Sequence, residues 1–123
     1  MTVQDVLNRI NELKPNKFSA AAVLGWISKV DFIISEQHLP YGGEAIEEPY
    51  SPENADNEVL LSEEWQDIYL YYASAQMDYL NGEAGRYTNS MIMYNTELQA
   101  YLDWYNRTHA HIATRLKTSV DGI

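Results

Sequence analysis

Apolar residues recur at helical spacing in four stretches, and helix-breaking chemistry separates them. Val3, Val6, Leu7, Ile10 and Leu13 follow Thr2, which together with Asp5 three positions on forms a capping box, so a short amphipathic helix is expected there. Lys14-Pro15-Asn16 ends it, because a proline pushes the residue before it out of the helical region. Ser19 is the next cap. From Ala20 to about His38, Val23, Trp26, Ile27, Val30, Ile33 and Ile34 form one stripe, while Ser28, Lys29, Asp31 and Gln37 fall largely elsewhere. Gly25 inside this second helix costs up to ~1 kcal/mol relative to alanine, and either admits a neighbouring helix or is tolerated.

Pro40 to Leu61 has a different character. Three of the four prolines and the Gly42-Gly43 pair lie here, with Glu44, Glu47, Glu48, Glu53, Asp56 and Glu58 and no lysine or arginine. The segment reads as a long acidic loop, facing either a channel or solvent. Connections of this length inside a compact domain tend to be binding loops, the plainer alternative being a solvated insertion.

Ser62 with Glu63 and Glu64 suits a helix N-terminus, and Trp65, Ile68, Tyr72, Ala75 and Tyr79 then step by threes and fours. Asn81-Gly82 and Gly85 interrupt the pattern, and a last stripe runs through Tyr87, Met91, Tyr94, Leu98, Tyr101 and Tyr105. Two long stripes on either side of Asn81-Gly82 predict an antiparallel helical hairpin with a sharp corner. After Asn106 the pattern is lost, and Arg107, Arg115 and Lys117, with His109 and His111 between them, read as a basic, flexible tail. The expected fold is all-α: one small four-helix domain over residues 1–108, an acidic loop between helices 2 and 3, and a tail over residues 109–123.

At 123 residues the chain is long enough for one self-sufficient core. Its 18 acidic and 8 basic side chains give a net charge of -10, which opposes direct attraction to nucleic acid or anionic lipid. No cysteine is present, which removes disulfides, thiolate chemistry and cysteine-held metals. Met1 to Gly25 lack a signal-peptide pattern, and no run approaches the ~20 apolar residues of a membrane span, so a soluble protein without membrane contact, made and kept in a cytoplasm, is expected.

Catalytic motifs are equally sparse. His109-Ala110-His111 would need a third ligand from elsewhere to hold a metal, and a solvated pair is the simpler reading. No zincin run, phosphate loop or nucleophile elbow occurs. The acidic pairs Glu47-Glu48 and Glu63-Glu64 read as solvated faces, because carboxylate catalysis needs a concave site that splits their pKa values. No cofactor and no enzymatic activity are expected.

Tyrosine is over-used, at ten residues against two phenylalanines, and most lie between Tyr69 and Tyr105. Each ring buries well while its hydroxyl seeks water or a partner, so the tyrosines either rim a small core or meet another subunit. Tyr69, Tyr71, Tyr72, Tyr101 and Tyr105 are the candidates for an interface.

The run Asp67-Ile-Tyr-Leu-Tyr-Tyr, then Gln76-Met-Asp-Tyr-Leu-Asn-Gly-Glu, Arg86-Tyr-Thr-Asn-Ser-Met, Tyr94-Asn, Tyr101 and Trp104-Tyr-Asn-Arg-Thr-His resembles the small head-tail connector proteins of long-tailed bacteriophages and prophages of Gram-positive hosts. The likeness spans roughly Thr2 to His109 and is strongest from Trp65 onward. It implies a helical structural protein of the virion neck, made in the bacterial host cytoplasm. Such proteins form a homo-oligomeric ring, commonly twelve-fold, beneath the portal protein, extend the DNA channel and present a surface to the next neck or tail-completion protein. DNA passes through without specific binding. The resemblance carries no catalytic residue, and the segment from Pro40 to Leu61 matches least.

The charge suits a conduit, since an acidic wall repels phosphates and lets DNA slide. It also opposes assembly of like-charged copies, so the ring is expected to be weak alone and strong on the portal. Arg107, His109, Arg115 and Lys117 are then candidates for portal or subunit contact. An acidic DNA mimic or other protein-binding module is the alternative, and predicts a monomer or dimer on a basic protein.

Overall fold

In a computed structural model of the chain, residues 1–38 and 49–121 are described, with side chains described for residues 1–36 and 49–108. The described residues hold four α-helices and no strand: α1 Val3–Leu13, α2 Ala20–Ile33, α3 Asp67–Leu80 and α4 Ala84–Asp121. The capping box is present as expected, with Thr2 Oγ1 accepting from the Asp5 N–H and the Asp5 carboxylate accepting from the Thr2 N–H. These bonds hold the Asp5 carboxyl below its usual range. Ser19 caps α2 by accepting from the Ala22 N–H. A single π turn, Ile34–His38, continues α2.

Val3, Val6, Leu7 and Ile10 of α1, Val23, Leu24, Ile27 and Val30 of α2, Ile34 of the π turn, Ile68, Tyr69, Ala73 and Met77 of α3, and Tyr94, Leu98, Tyr101 and Tyr105 of α4 form one core. Gly25 is not a close-packing site. It is exposed, and a Cβ placed on it would meet nothing within 4 Å, so its place in α2 is tolerated.

The corner between α3 and α4 is as sharp as the Asn81-Gly82 signal implies. Gly82 takes φ +75°, a conformation that side chains with a Cβ avoid. Its N–H donates to the Tyr79 carbonyl and the Glu83 N–H to the Asp78 carbonyl, which closes α3 as a Schellman motif and turns the chain back.

Two expectations need correcting. Ser62 does not cap α3. It precedes a 3-10 turn, Glu63–Trp65, and α3 starts after Gln66. Asp31 and Ser28 do not lie off the apolar stripe of α2, and both are buried. The α4 backbone is helical to Asp121, past residue 108.

Of the segment read as an acidic loop, residues 49–61 are a strap across the core, and Glu44, Glu47 and Glu48 lie outside the described residues. Ala55, Val59 and Leu61 are buried. The strap carbonyls of Asn57 and Ala55 accept from the Val3 and Gln4 N–H groups, donors that the first turn of a helix cannot satisfy itself. The Val59 N–H donates to the Met1 carbonyl, and the Met1 ammonium lies 2.6 Å from Glu58. That carboxylate raises the amine's pKa.

Candidate functional site

The tyrosines separate into core and surface. Tyr69, Tyr101 and Tyr105 sit inside the single chain, whereas Tyr71 and Tyr72 stay partly exposed. Their contacts follow a ladder with a seven-residue step along each arm of the hairpin, the last rung set by Trp65 of the 3-10 turn that precedes α3. Tyr79 meets Tyr87 with ring centroids 5.6 Å apart, Tyr72 meets Tyr94 at 5.2 Å, and Trp65 meets Tyr101 at 5.4 Å. Trp104 closes the last rung, 5.9 Å from both Trp65 and Tyr101. Helix positions seven apart share a face, so this spacing fixes the register of α3 against α4. Burial pushes the hydroxyls of Tyr94 and Tyr101 up to about 12.

Behind the hairpin lies a polar centre that the sequence reading missed. Asp31 has no exposed surface. Its carboxylate accepts from the Tyr50 hydroxyl at 2.6 Å, from the Leu60 N–H at 3.1 Å and from the Tyr69 hydroxyl. The Tyr69 oxygen in turn accepts from the Leu61 N–H at 3.1 Å, and Ser28 Oγ accepts from the Tyr50 N–H at 3.3 Å. Desolvation raises the Asp31 carboxyl's pKa against the opposing pull of these donors. Desolvation and the facing carboxylate raise both Tyr50 and Tyr69 well above the ordinary phenol range. The signal for Asp31 was periodic: it lies four residues after Ile27 and three before Ile34, on the stripe itself. With Asp31, Ser28 and Tyr69 buried and Tyr50 partly so, this centre ties the strap to α2 and α3.

Asp78 is the second buried carboxylate. Lys14 donates to it at 2.7 Å and the Ser90 hydroxyl at 3.2 Å, which joins the end of α1 to both arms of the hairpin. Beside this pair, Leu13, Leu70, Tyr71, Asn89 and Met93 line a groove of about 420 Å³. Among the described residues no group of His, Asp and Glu side chains is arranged to hold a metal ion.

Of the charged candidates, Glu53 and Asp56 are exposed on the strap, and Glu58 is exposed while holding the Met1 ammonium. Arg107 is exposed on α4. The side chains of His109, Arg115 and Lys117 lie outside the described residues. No helix among the described residues is long and apolar enough to cross a membrane. Comparison with protein-family models, with curated proteins and with solved structures gives no match.

Proposed function

We propose that the chain is a structural neck protein of a long-tailed bacteriophage or prophage, which docks as a ring on the portal and extends the DNA channel toward the tail. The observation that carries the reading is the run from Asp67 to His109, whose resemblance to head-tail connectors covers α3 and the part of α4 that packs on it, with the Tyr79–Tyr87 and Tyr72–Tyr94 rungs of the ladder. Two further features support it. Residues 30–85 contain thirteen of the eighteen carboxylates and no lysine or arginine; Glu36, Glu53, Asp56, Glu58, Glu63, Glu64 and Glu83 among them are exposed, and a surface of that sign repels DNA phosphates, as a sliding channel requires. Tyr79, Leu80 and Ile92 are large apolar residues exposed on the hairpin, a surface suited to assembly.

Copies of like charge repel, so the ring is strong on the portal and weak without it. The next neck or tail-completion protein meets the face left open. Co-expression with the portal protein encoded beside it, followed by gel filtration with light scattering, tests the reading. Co-elution at the mass of a portal ring carrying a ring of this chain supports it. A chain that elutes apart from the portal at low salt, and instead binds a basic protein in a salt-sensitive way, overturns it in favour of the acidic mimic.

A further inference from the structure

α2 is apolar on both sides. Of Ala20–Ile33 three residues are polar, Ser28, Lys29 and Asp31, and Ser28 and Asp31 are buried. The outward face therefore carries one polar side chain, Lys29. A helix with apolar residues all round is ordinarily covered on both sides, yet α2 packs inward on α1 and α3 and leaves Ala21, Gly25 and Phe32 exposed. Phe18 and Trp26 meet edge to face beside this surface, 5.5 Å between ring centroids, and the Lys29 amine lies 5.7 Å from the centre of the Phe32 ring. Such contacts hold side chains in place before a partner arrives, which lowers the ordering cost of docking.

At 14 residues α2 is too short to cross a membrane, and the chain's net charge of -10 opposes an anionic lipid surface. A protein surface is the cover that fits.

The charge on the face selects the partner. Residues 13–35 hold three lysines and one carboxylate, the buried Asp31. Lys14 is paired with Asp78, whereas Lys17 and Lys29 are exposed and form no ion pair among the described residues. The complement stands on the outer face of α4. Residues 87–106 have two charged side chains, Glu97 and Asp103, and no lysine or arginine. Ile92, Thr96, Gln99 and Asp103 are exposed there at steps of four, three and four, and Ile92 is 56% exposed. The Thr96 hydroxyl donates to the Ile92 carbonyl, so its proton is already placed. Ala21 to Phe32 and Ile92 to Asp103 are each eleven helical steps, about 16 Å, and the two faces match in length.

We infer that the outward face of α2, formed by Ala21, Gly25, Lys29 and Phe32, docks on the outer face of α4 of a second copy of this chain, around Ile92 and Asp103. The two surfaces differ, so the contact is head-to-tail and each copy both gives and receives. It also brings like-charged copies together through the part of the surface that does not repel. The inference deepens the connector reading, on which closure of the contact into a ring rests.

Cross-linking of the full-length chain, alone and on the portal protein, tests it, and no native cysteine competes. Gly25→Cys, whose added side chain meets open space, is mixed with Ile92→Cys and joined by a short bismaleimide, one of the two carrying a mass tag so that mixed dimers stand apart. Asp56→Cys, exposed on the strap, replaces Ile92→Cys as the control. The inference requires several-fold more mixed dimer from the Ile92→Cys pair than from the control. Adding Lys29→Glu to the first chain, or Asp103→Lys to the second, is expected to cut that yield several-fold, and the two reversals together to restore it, which misfolded chains do not do. Equal trapping by the control, no trapping in either sample, or reversals that fail to rescue each other overturns the inference. Electron microscopy of the portal samples separates the two readings. A ring on the portal without the cross-link overturns this interface and leaves the connector, while cross-linked multimers that ignore the portal do the reverse.

Discussion

Tyr69 of α3 gives its hydroxyl hydrogen to Asp31 of α2 while its oxygen receives the Leu61 N–H, so one buried phenol joins two helices and the strap. That carboxylate is held by neutral donors, the Tyr50 and Tyr69 hydroxyls and the Leu60 N–H. The arrangement makes Asp31 a group whose ionised form is costly, and several predictions about pH and packing depend on it.

A carboxyl whose folded pKa is raised binds protons more readily folded than unfolded. Its contribution to stability is full below the unfolded value near 4 and is lost as pH rises through the folded value. Asp31→Asn removes that titration. Urea unfolding of both proteins is expected to show the wild type gaining on the variant as pH falls from 7 toward 4. A difference independent of pH, or one that moves the other way, contradicts the burial of an ionisable Asp31.

The buried phenols give a second pH signature. Tyr94 and Tyr101 are held up to about 12, and Tyr50 and Tyr69 are raised as well. The stability they contribute is complete below the unfolded phenol value near 10 and is lost as pH rises through their folded values. Absorbance at 295 nm at pH 11 is therefore expected to report clearly fewer than ten tyrosinates in the native protein and close to all ten in denaturant. Equal signals would mean that these rings are not buried.

The hairpin ladder predicts a pattern of substitution costs. Tyr94→Ala removes a buried ring and is expected to cost about 3–5 kcal/mol. Tyr72→Ala, at a partly exposed position, should cost less. The double-mutant cycle between them is expected to return a coupling of about 0.5–1.5 kcal/mol, the range of a tilted aromatic pair. No coupling would place the two rings apart.

The two glycines that mark α2 and the corner are expected to respond oppositely. Gly25→Ala meets open space inside a helix and should stabilise by up to ~1 kcal/mol. Gly82→Ala forces a Cβ into φ +75° and should destabilise by about 1 kcal/mol. Thermal melts of both variants read the signs directly.

The ion pairs should rank by burial. Lys14→Ala strips Asp78, whose side chain is 2% exposed, of a charged donor and is expected to cost about 1.5–3 kcal/mol. Arg9→Ala breaks a pair with Asp67 that is 39% and 42% exposed, and the lost ion pair should cost under ~1 kcal/mol. Chemical denaturation distinguishes the two.

The helices were legible because their determinants are local: stripes at threes and fours, a capping box at Thr2, a serine cap at Ser19, and an Asn81-Gly82 corner. Residues whose role is set by distant chain were not. Asp31 stands on the stripe, yet a carboxylate there reads as solvated until Tyr50 and Tyr69 arrive from elsewhere in the sequence. Val59 and Leu61 are too few to announce a strap, whose hydrogen bonds run to the first turn of α1. The end of α4 was hidden by His109, His111 and three cations, which break the look of an apolar stripe without breaking the helix. Whether a given tyrosine is core or surface depended on its partner across the hairpin, which the seven-residue step implied but did not assign.

The central claim, that this chain caps a portal, is tested most directly by electron microscopy of the protein mixed with the portal protein encoded beside it, imaged next to each protein alone. The account predicts a ring of this chain on one end of the portal and small single particles in its absence. Portals with bare ends at low salt, with the chain dispersed among them, would contradict it.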